Sequence, residues 1–99
     1  MRVLSELFND SMQLKIIEAF TEKPEERLYV ADISRATGVA KITVMRHIKT
    51  LLEEGIILKA GKAGQVQFYQ LNMENPKAKI ILLLESYILK EKLNELLIE

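Results

Sequence analysis

The sequence has no cysteine and a single histidine, His47. The first absence excludes a disulfide framework, thiolate metal sites and a cysteine nucleophile. The second leaves no histidine cluster for metal binding or acid–base chemistry. No basic leader followed by an apolar core opens the chain. The most apolar stretch, Ile80 to Leu84, meets Glu85 well short of the ~18 residues of a membrane span. The carboxylates are scattered, no serine is paired in sequence with His47, and no glycine-rich phosphate loop precedes a helix. These absences predict a cytoplasmic protein that is not an enzyme, binds no metal, carries no cofactor and does not enter membranes.

What is present is one domain's worth of chain. Of 99 residues, 48% are hydrophobic and 28% charged, the composition of an ordinary globular fold. Positive and negative side chains number 14 each, but they are not evenly spread. Residues 1–34 carry a balance of −3 and residues 63–99 a balance of −1, whereas residues 35–62 carry +4. That middle segment holds Arg35, Lys41, Arg46, Lys49, Lys59 and Lys62 against only Glu53 and Glu54 at its far end. A basic island in a neutral chain is either a partner-binding face or a fluctuation in a mixed surface.

Asn9, Asp10 and Ser11 are all good N-caps, and Met12, Ile16 and Phe20 at helical spacing, with Ile17 beside them, predict a helix over about 11–22 that ends before Pro24. Leu4, Leu7 and Phe8 form a separate apolar segment ahead of it. Leu28-Tyr29-Val30 reads as a very short extended run, and 32–37 as a short helix with Ile33 and Ala36 inward and Gly38 at its end. A third helix over about 41–54 places Val44, Ile48 and Leu51 on one face. Its opposite face holds Ile42, Arg46, Lys49 and Glu53, flanked by Thr43 and Thr50. Residues 56–60 and 65–71 are β-rich and separated by Gly61-Lys62-Ala63-Gly64, which predicts a hairpin. On the second strand Val66 and Phe68 share one parity and Tyr69 and Leu71 the other, so either pair could face the core. Asn75-Pro76 starts a last helix that meets no breaker before about Ile98.

Helix, short strand, short helix, tight turn, helix and hairpin is the order of a winged helix-turn-helix. The predicted fold class is mainly α with a small β-hairpin, ending in a long helix. Residues 1–75 form the winged helix-turn-helix, and 76–99 a dimerisation helix within the same single domain. From Ala78 to Leu89 nearly every face of that helix is apolar, more than a domain this size can cover. Leu82, Leu89, Leu93 and Leu96 keep seven- and four-three spacing like a coiled-coil seam. A homodimer joined through these residues, with Leu4, Leu7 and Phe8, is the expectation.

Particular residues also resemble a known family. Gln13-Leu14-Lys15-Ile16-Ile17 is similar to the R-L-x-I-L signature of ArsR-type winged-helix regulators. Thr43-Val44-Met45-Arg46-His47-Ile48-Lys49 with Leu51 resembles their T-V-S-R-H-L-x-x-L recognition helix. Gly55-Ile56-Ile57 and Phe68-Tyr69-Gln70-Leu71 resemble their G-L-V and Y-Y-x-L. The resemblance implies a double-stranded-DNA-binding transcription regulator whose 41–54 helix enters the major groove. The cysteine box of the metal-sensing members is absent, with Tyr29 and Ala31 at the thiol positions, so the metal response is not implied.

The expected DNA-binding set is Lys41, Ile42, Thr43, Arg46, His47, Lys49, Thr50, Lys59 and Lys62. Arg46 can pair with guanine, and either it or Lys49 can hold phosphate. Lys41 and Thr43 lie in a first turn whose amides favour anions. Ile42 either meets a thymine methyl or is an incidental surface residue; His47 either reaches a phosphate or packs against the wing. Thr50 lies farther from the N-terminal end. Lys59 and Lys62 belong to the wing, with Lys62 at the hairpin tip. The alternatives from other classes are a winged-helix protein-interaction module and an architectural DNA-binding protein, because fold alone does not separate these uses.

Overall fold

The computed structural model describes residues 11–98. The apolar segment holding Leu4, Leu7 and Phe8 lies outside the described residues. Helix α1 spans Met12–Thr21. The Ser11 hydroxyl accepts a hydrogen bond from the Leu14 amide at 3.4 Å, satisfying one of the first-turn donors. Its inward face buries Ile16, Ile17 and Phe20.

Helix α2, Val30–Thr37, starts two residues earlier than expected. The Tyr29 amide donates to the Asp32 carboxylate at 3.4 Å, so Tyr29 becomes the cap and Val30 the first helical residue. The extended run 28–30 therefore shrinks to one bridge, Leu28 with Tyr69, made by amide–carbonyl bonds of 2.8 and 2.7 Å. Ile33 is fully buried as expected, but Ala36 is exposed. It lines an open surface depression with Ala19, Leu28 and Asp32 rather than entering the core.

Helix α3 spans Lys41–Glu53 and buries Val44, Ile48 and Leu51 on one face. It ends in paired reverse bonds, Gly55 amide to Leu52 carbonyl at 3.1 Å and Ile56 amide to Leu51 carbonyl at 3.0 Å. Gly55 has φ 73°, the left-handed conformation this termination requires. Strands β1 (Ile57–Ala63) and β2 (Val66–Leu71) form an antiparallel hairpin. The expected four-residue loop is only Gly64-Gln65, because β1 continues through Gly61, Lys62 and Ala63. One extra residue is absorbed as a bulge between Lys59 and Lys62, where Gly61 takes φ 96°. The open parity is resolved: Tyr69 and Leu71 pack on the core side.

Helix α4 spans Pro76–Ile98, about 34 Å of rod. Ala78 is buried, and Ile81 and Leu82 pack against the same core as α1, α2 and α3. Among the described residues, no helix is long and apolar enough to cross a membrane.

Candidate nucleic-acid interface

The connection between α2 and α3 sets how α3 is presented. Gly38 adopts φ 74° and its amide bonds to the Ser34 carbonyl at 2.9 Å. The Ser34 hydroxyl donates to the Val39 carbonyl at 2.6 Å, and the Val39 amide donates to the Thr37 hydroxyl at 3.2 Å. Val39 itself is buried, so the turn is held from both its polar and its apolar side. Burial of Val44, Ile48 and Leu51 then fixes the rotation of α3 about its own axis. Each such side chain contributes about 1.5–3 kcal/mol when taken from water.

With that rotation set, Lys41, Ile42, Met45, Arg46, Lys49 and Thr50 are exposed, and Thr43 and His47 are half-buried. Among the described residues, none of Lys41, Arg46, Lys49, Lys59 and Lys62 is in an ion pair; the pairs run Lys23–Glu26, Arg35–Asp32 and Lys77–Glu54. The Thr50 hydroxyl lies 3.4 Å from the Arg46 carbonyl and donates to it, so it is already engaged on its own helix. The α3 N-cap, Ala40, makes no side-chain hydrogen bond to the first turn. That leaves the first-turn amides without a side-chain acceptor, beside the Lys41 ammonium.

The wing supplies a second basic element. Lys62 is exposed and pairs with Gln67 in the ladder, one residue pair before the turn rather than at the tip, because β1 is longer than expected. Lys59, opposite Tyr69, lies on the other side of the bulge and lines a shallow depression with Lys49, Leu52 and Glu53. The structure thus brings Lys49 and Lys59 together across the α3–β1 junction. On the other flank of α3, Lys41 and Met45 border a cleft of about 340 Å³ that reaches Tyr29, Val66, Gln67 and Tyr69 of the wing side.

Several contributors were not legible in the sequence. Arg27 stacks over the Phe68 ring at 5.0 Å and donates to the Ala60 carbonyl at 3.2 Å. Tyr29 meets the same ring edge-on, with centroids 5.6 Å apart. The Gln67 amide ties the bulge by donating to the Gly61 carbonyl at 2.9 Å. These side chains are distant in sequence and no spacing rule joins them. Met45 was detectable: it sits one turn from Ile42 and next to Arg46 on the exposed face.

The expected dimer seam is divided between two surroundings. Leu82 packs on the chain's own core, Leu89 is half-buried, and Leu93 and Leu96 are exposed. A different stripe stands clear of the domain: Ile80, Leu83, Leu84 and Tyr87 are all exposed, on the face of α4 opposite Ala78, Ile81 and Leu82. Among the described residues no group of three metal-ligating side chains gathers.

Comparison with known proteins bears directly on this arrangement. Residues 14–60, just under half of the chain, match the IclR helix-turn-helix domain family. The fold is similar to the adhesin competence repressor of Streptococcus pyogenes, with TM-score 0.64 at 20% identity, covering 81% of this chain and 58% of that one. It is also similar to a possible transcriptional regulator from Methanosarcina mazei, with TM-score 0.60 at 21% identity, covering 95% and 79% of the two chains. A third is MepR, a transcription regulator of the Staphylococcus aureus multidrug efflux pump MepA, with TM-score 0.68 at 15% identity and coverage of 92% and 67%. The chain thus spans 58% of the length of the Streptococcus protein. A search of curated protein sequences found no match.

The matched segment contains the whole α2–turn–α3 unit. Together with the winged-helix fold, the match marks α2, the turn and α3 as a unit similar to a helix-turn-helix domain. The resemblance to ArsR-type regulators is not upheld: the matching family is the IclR helix-turn-helix, and the similar structures are regulators of other types. The residues behind that resemblance explain the error. Val44, Ile48 and Leu51 are core positions, Gly55 is a helix terminator, and Tyr69 and Leu71 pack the wing on the core. Such positions are demanded by any winged helix and do not separate one subfamily from another.

Proposed function

We propose that this chain is a homodimeric, sequence-specific regulator of transcription that binds double-stranded DNA as a binding protein and not as an enzyme. Residues 1–75 hold the duplex and residues 76–99 pair the subunits; a cytoplasmic location follows from that role. The observation that carries the reading is the exposed face of α3, on which Arg46 and Lys49 stand without ion-pair partners among the described residues, while Val44, Ile48 and Leu51 lock the opposite face into the core.

In this reading α3 lies in the major groove. Arg46 pairs with a guanine edge, while Lys49, Lys59 and the α3 N-terminus with Lys41 and Thr43 hold phosphates. His47, half-buried at the edge of that face, reaches the backbone, and Thr50 lends its carbon surface. Lys62 carries the wing to a neighbouring phosphate. The subunits meet through the exposed stripe of Ile80, Leu83, Leu84 and Tyr87, an apolar surface of the kind that marks an interaction site. Beyond Tyr87 that face turns polar with Lys90, Glu91 and Asn94, and the exposed Leu93, Leu96 and Leu97 lie on another face of the helix.

Selection of binding sites from random duplexes tests the reading. A palindromic site is expected, with half-sites about 10 base pairs apart or a multiple of this. Enrichment of no sequence together with salt-dependent binding to all duplexes would favour an architectural role, and no binding at all a protein-interaction module.

A further inference from the structure

The exposed face of α3 carries more than cations. Ile42 is 66% and Met45 58% exposed, although both are large and apolar. They stand at i and i+3, and Arg46 and Lys49 complete the same stripe at i+4 and i+7. One exposed isoleucine is ordinary on a protein surface. Two apolar side chains side by side, set among the unpaired cations of the most basic segment, form a composite surface. Neither belongs to the core cluster, so neither is needed to hold α3 in place. Met45 also borders the cleft toward Val66 of the wing, which continues the apolar surface along one flank of the helix.

On the edges that base pairs present in the major groove, the one apolar group is the thymine C5 methyl. We infer that Ile42 and Met45 are specificity-determining residues that read thymine methyl groups on base pairs beside the one contacted by Arg46. This rests on the DNA-binding reading above and narrows it to a class of site: a guanine with thymines at the adjoining positions. Along the helix axis Ile42 lies about 4.5 Å from Met45 and about 6 Å from Arg46, between one and two of the ~3.4 Å base steps, so the three side chains span adjoining base pairs. Ile42 is branched at Cβ and stiff, and reads one fixed position. Met45 has three rotatable bonds and a polarizable sulfur, and accepts a methyl from either strand.

The test uses the duplex that the full chain selects from a random library, remade with single thymines replaced by deoxyuridine, which removes only the methyl. Wild type is expected to lose about fourfold in affinity at each methyl that is read. Ile42→Ala and Met45→Ala, both at exposed positions, should each become indifferent to uracil at one position while keeping wild-type sensitivity at the other. Returning the methyl as 5-methylcytosine opposite guanine should restore part of the affinity at the same positions. Wild-type indifference to uracil at every position, with Arg46→Ala still weakening binding, overturns the inference and leaves the DNA-binding reading standing. Equal uracil sensitivity in wild type and both variants also overturns it, by assigning the methyls to other residues. If no duplex is selected and Arg46→Ala changes nothing, the underlying reading fails and the inference falls with it.

Discussion

Asn75 donates from its side-chain amide to the backbone carbonyl of Glu54 at 3.3 Å, joining the start of α4 to the end of α3. The same side chain caps α4, its oxygen accepting the Lys77 amide at 2.8 Å. Asn72 donates to the Gly55 carbonyl at 3.0 Å, and the Lys77 ammonium pairs with the Glu54 carboxylate, holding that carboxyl below the usual glutamate range. The helix proposed to read DNA and the helix proposed to pair subunits are therefore fastened end to start. In a dimer this junction would set the separation of the two recognition helices.

Gly55 is the point at which that fastening is most sensitive. A Cβ added there would lie 2.7 Å from the Asn75 side-chain nitrogen, at a φ that side chains rarely adopt. Gly55→Ala should cost about 1–2 kcal/mol from the backbone conformation alone, and more as Asn75 is displaced. Asn75→Ala should cost about 1 kcal/mol through the lost cap. Urea unfolding with unchanged slope should rank wild type above Asn75→Ala above Gly55→Ala; an unaffected Gly55→Ala midpoint would contradict the account.

The wing is held from its root. Arg27 bridges the Phe68 ring and the Ala60 carbonyl at the bulge, so its loss should loosen the hairpin that carries Lys62. Arg27→Ala is expected to cost only about 0.5–1 kcal/mol of stability, as an exposed cation–π contact. Its effect on DNA affinity should overlap with that of Lys62→Ala, the double variant losing less than the sum of the singles. Strict additivity in that cycle would show that Arg27 does not act through the wing.

Assembly is testable on the outer face of α4. Leu83 and Tyr87 are 69% and 64% exposed, so replacing both by Asp should leave the domain folded while abolishing the dimer. Sedimentation should show wild type as a dimer and the double variant as a monomer with unchanged helical content. A wild-type monomer at micromolar concentration would rule out the dimer.

Glu85 sits on the inward side of α4, and one of its carboxylate oxygens is buried without a hydrogen-bond partner. Burial raises its pKa above the ordinary glutamate value, the nearby Glu18 charge pushes the same way, and a hydrogen bond with Thr21 offsets part of the rise. The folded state therefore favours the proton more than the unfolded chain does. This contribution is most favourable at low pH and is lost as pH rises through the raised folded value. Glu85→Gln should melt higher than wild type near neutral pH, with the gap closing toward pH ~4 as wild type protonates. Identical melting across the range would show that the carboxylate is adequately solvated.

The helices were legible in the sequence because one rule governs each: apolar residues at three- and four-residue spacing, with Ser11, Gly38, Gly55 and Asn75 as ends. The exposed cations of α3 followed from the same rule, since fixing Val44, Ile48 and Leu51 inward leaves Arg46 and Lys49 outward. The hairpin was less legible. Its loop length depends on a bulge held by Gln67, which donates across the hairpin to Gly61, and by Arg27, which reaches Ala60 from 33 residues away in the chain. Leu82 was legible only in part: a leucine at seven-residue spacing fits an intersubunit seam and a core face equally well, and the packing of α4 shows it half-buried against the chain's own core.

Binding across a salt series tests the central claim most directly, with wild type, Arg46→Ala and Lys62→Ala each measured on the selected duplex and on a scrambled one. Arg46→Ala should lose about 1–3 kcal/mol on the selected site and much less on the scrambled duplex, because it removes a base contact. Lys62→Ala should weaken both duplexes alike and lower the salt slope by about one, because it removes a phosphate contact. If neither substitution changes affinity for either duplex at any salt concentration, the basic face of α3 and the wing do not bind DNA.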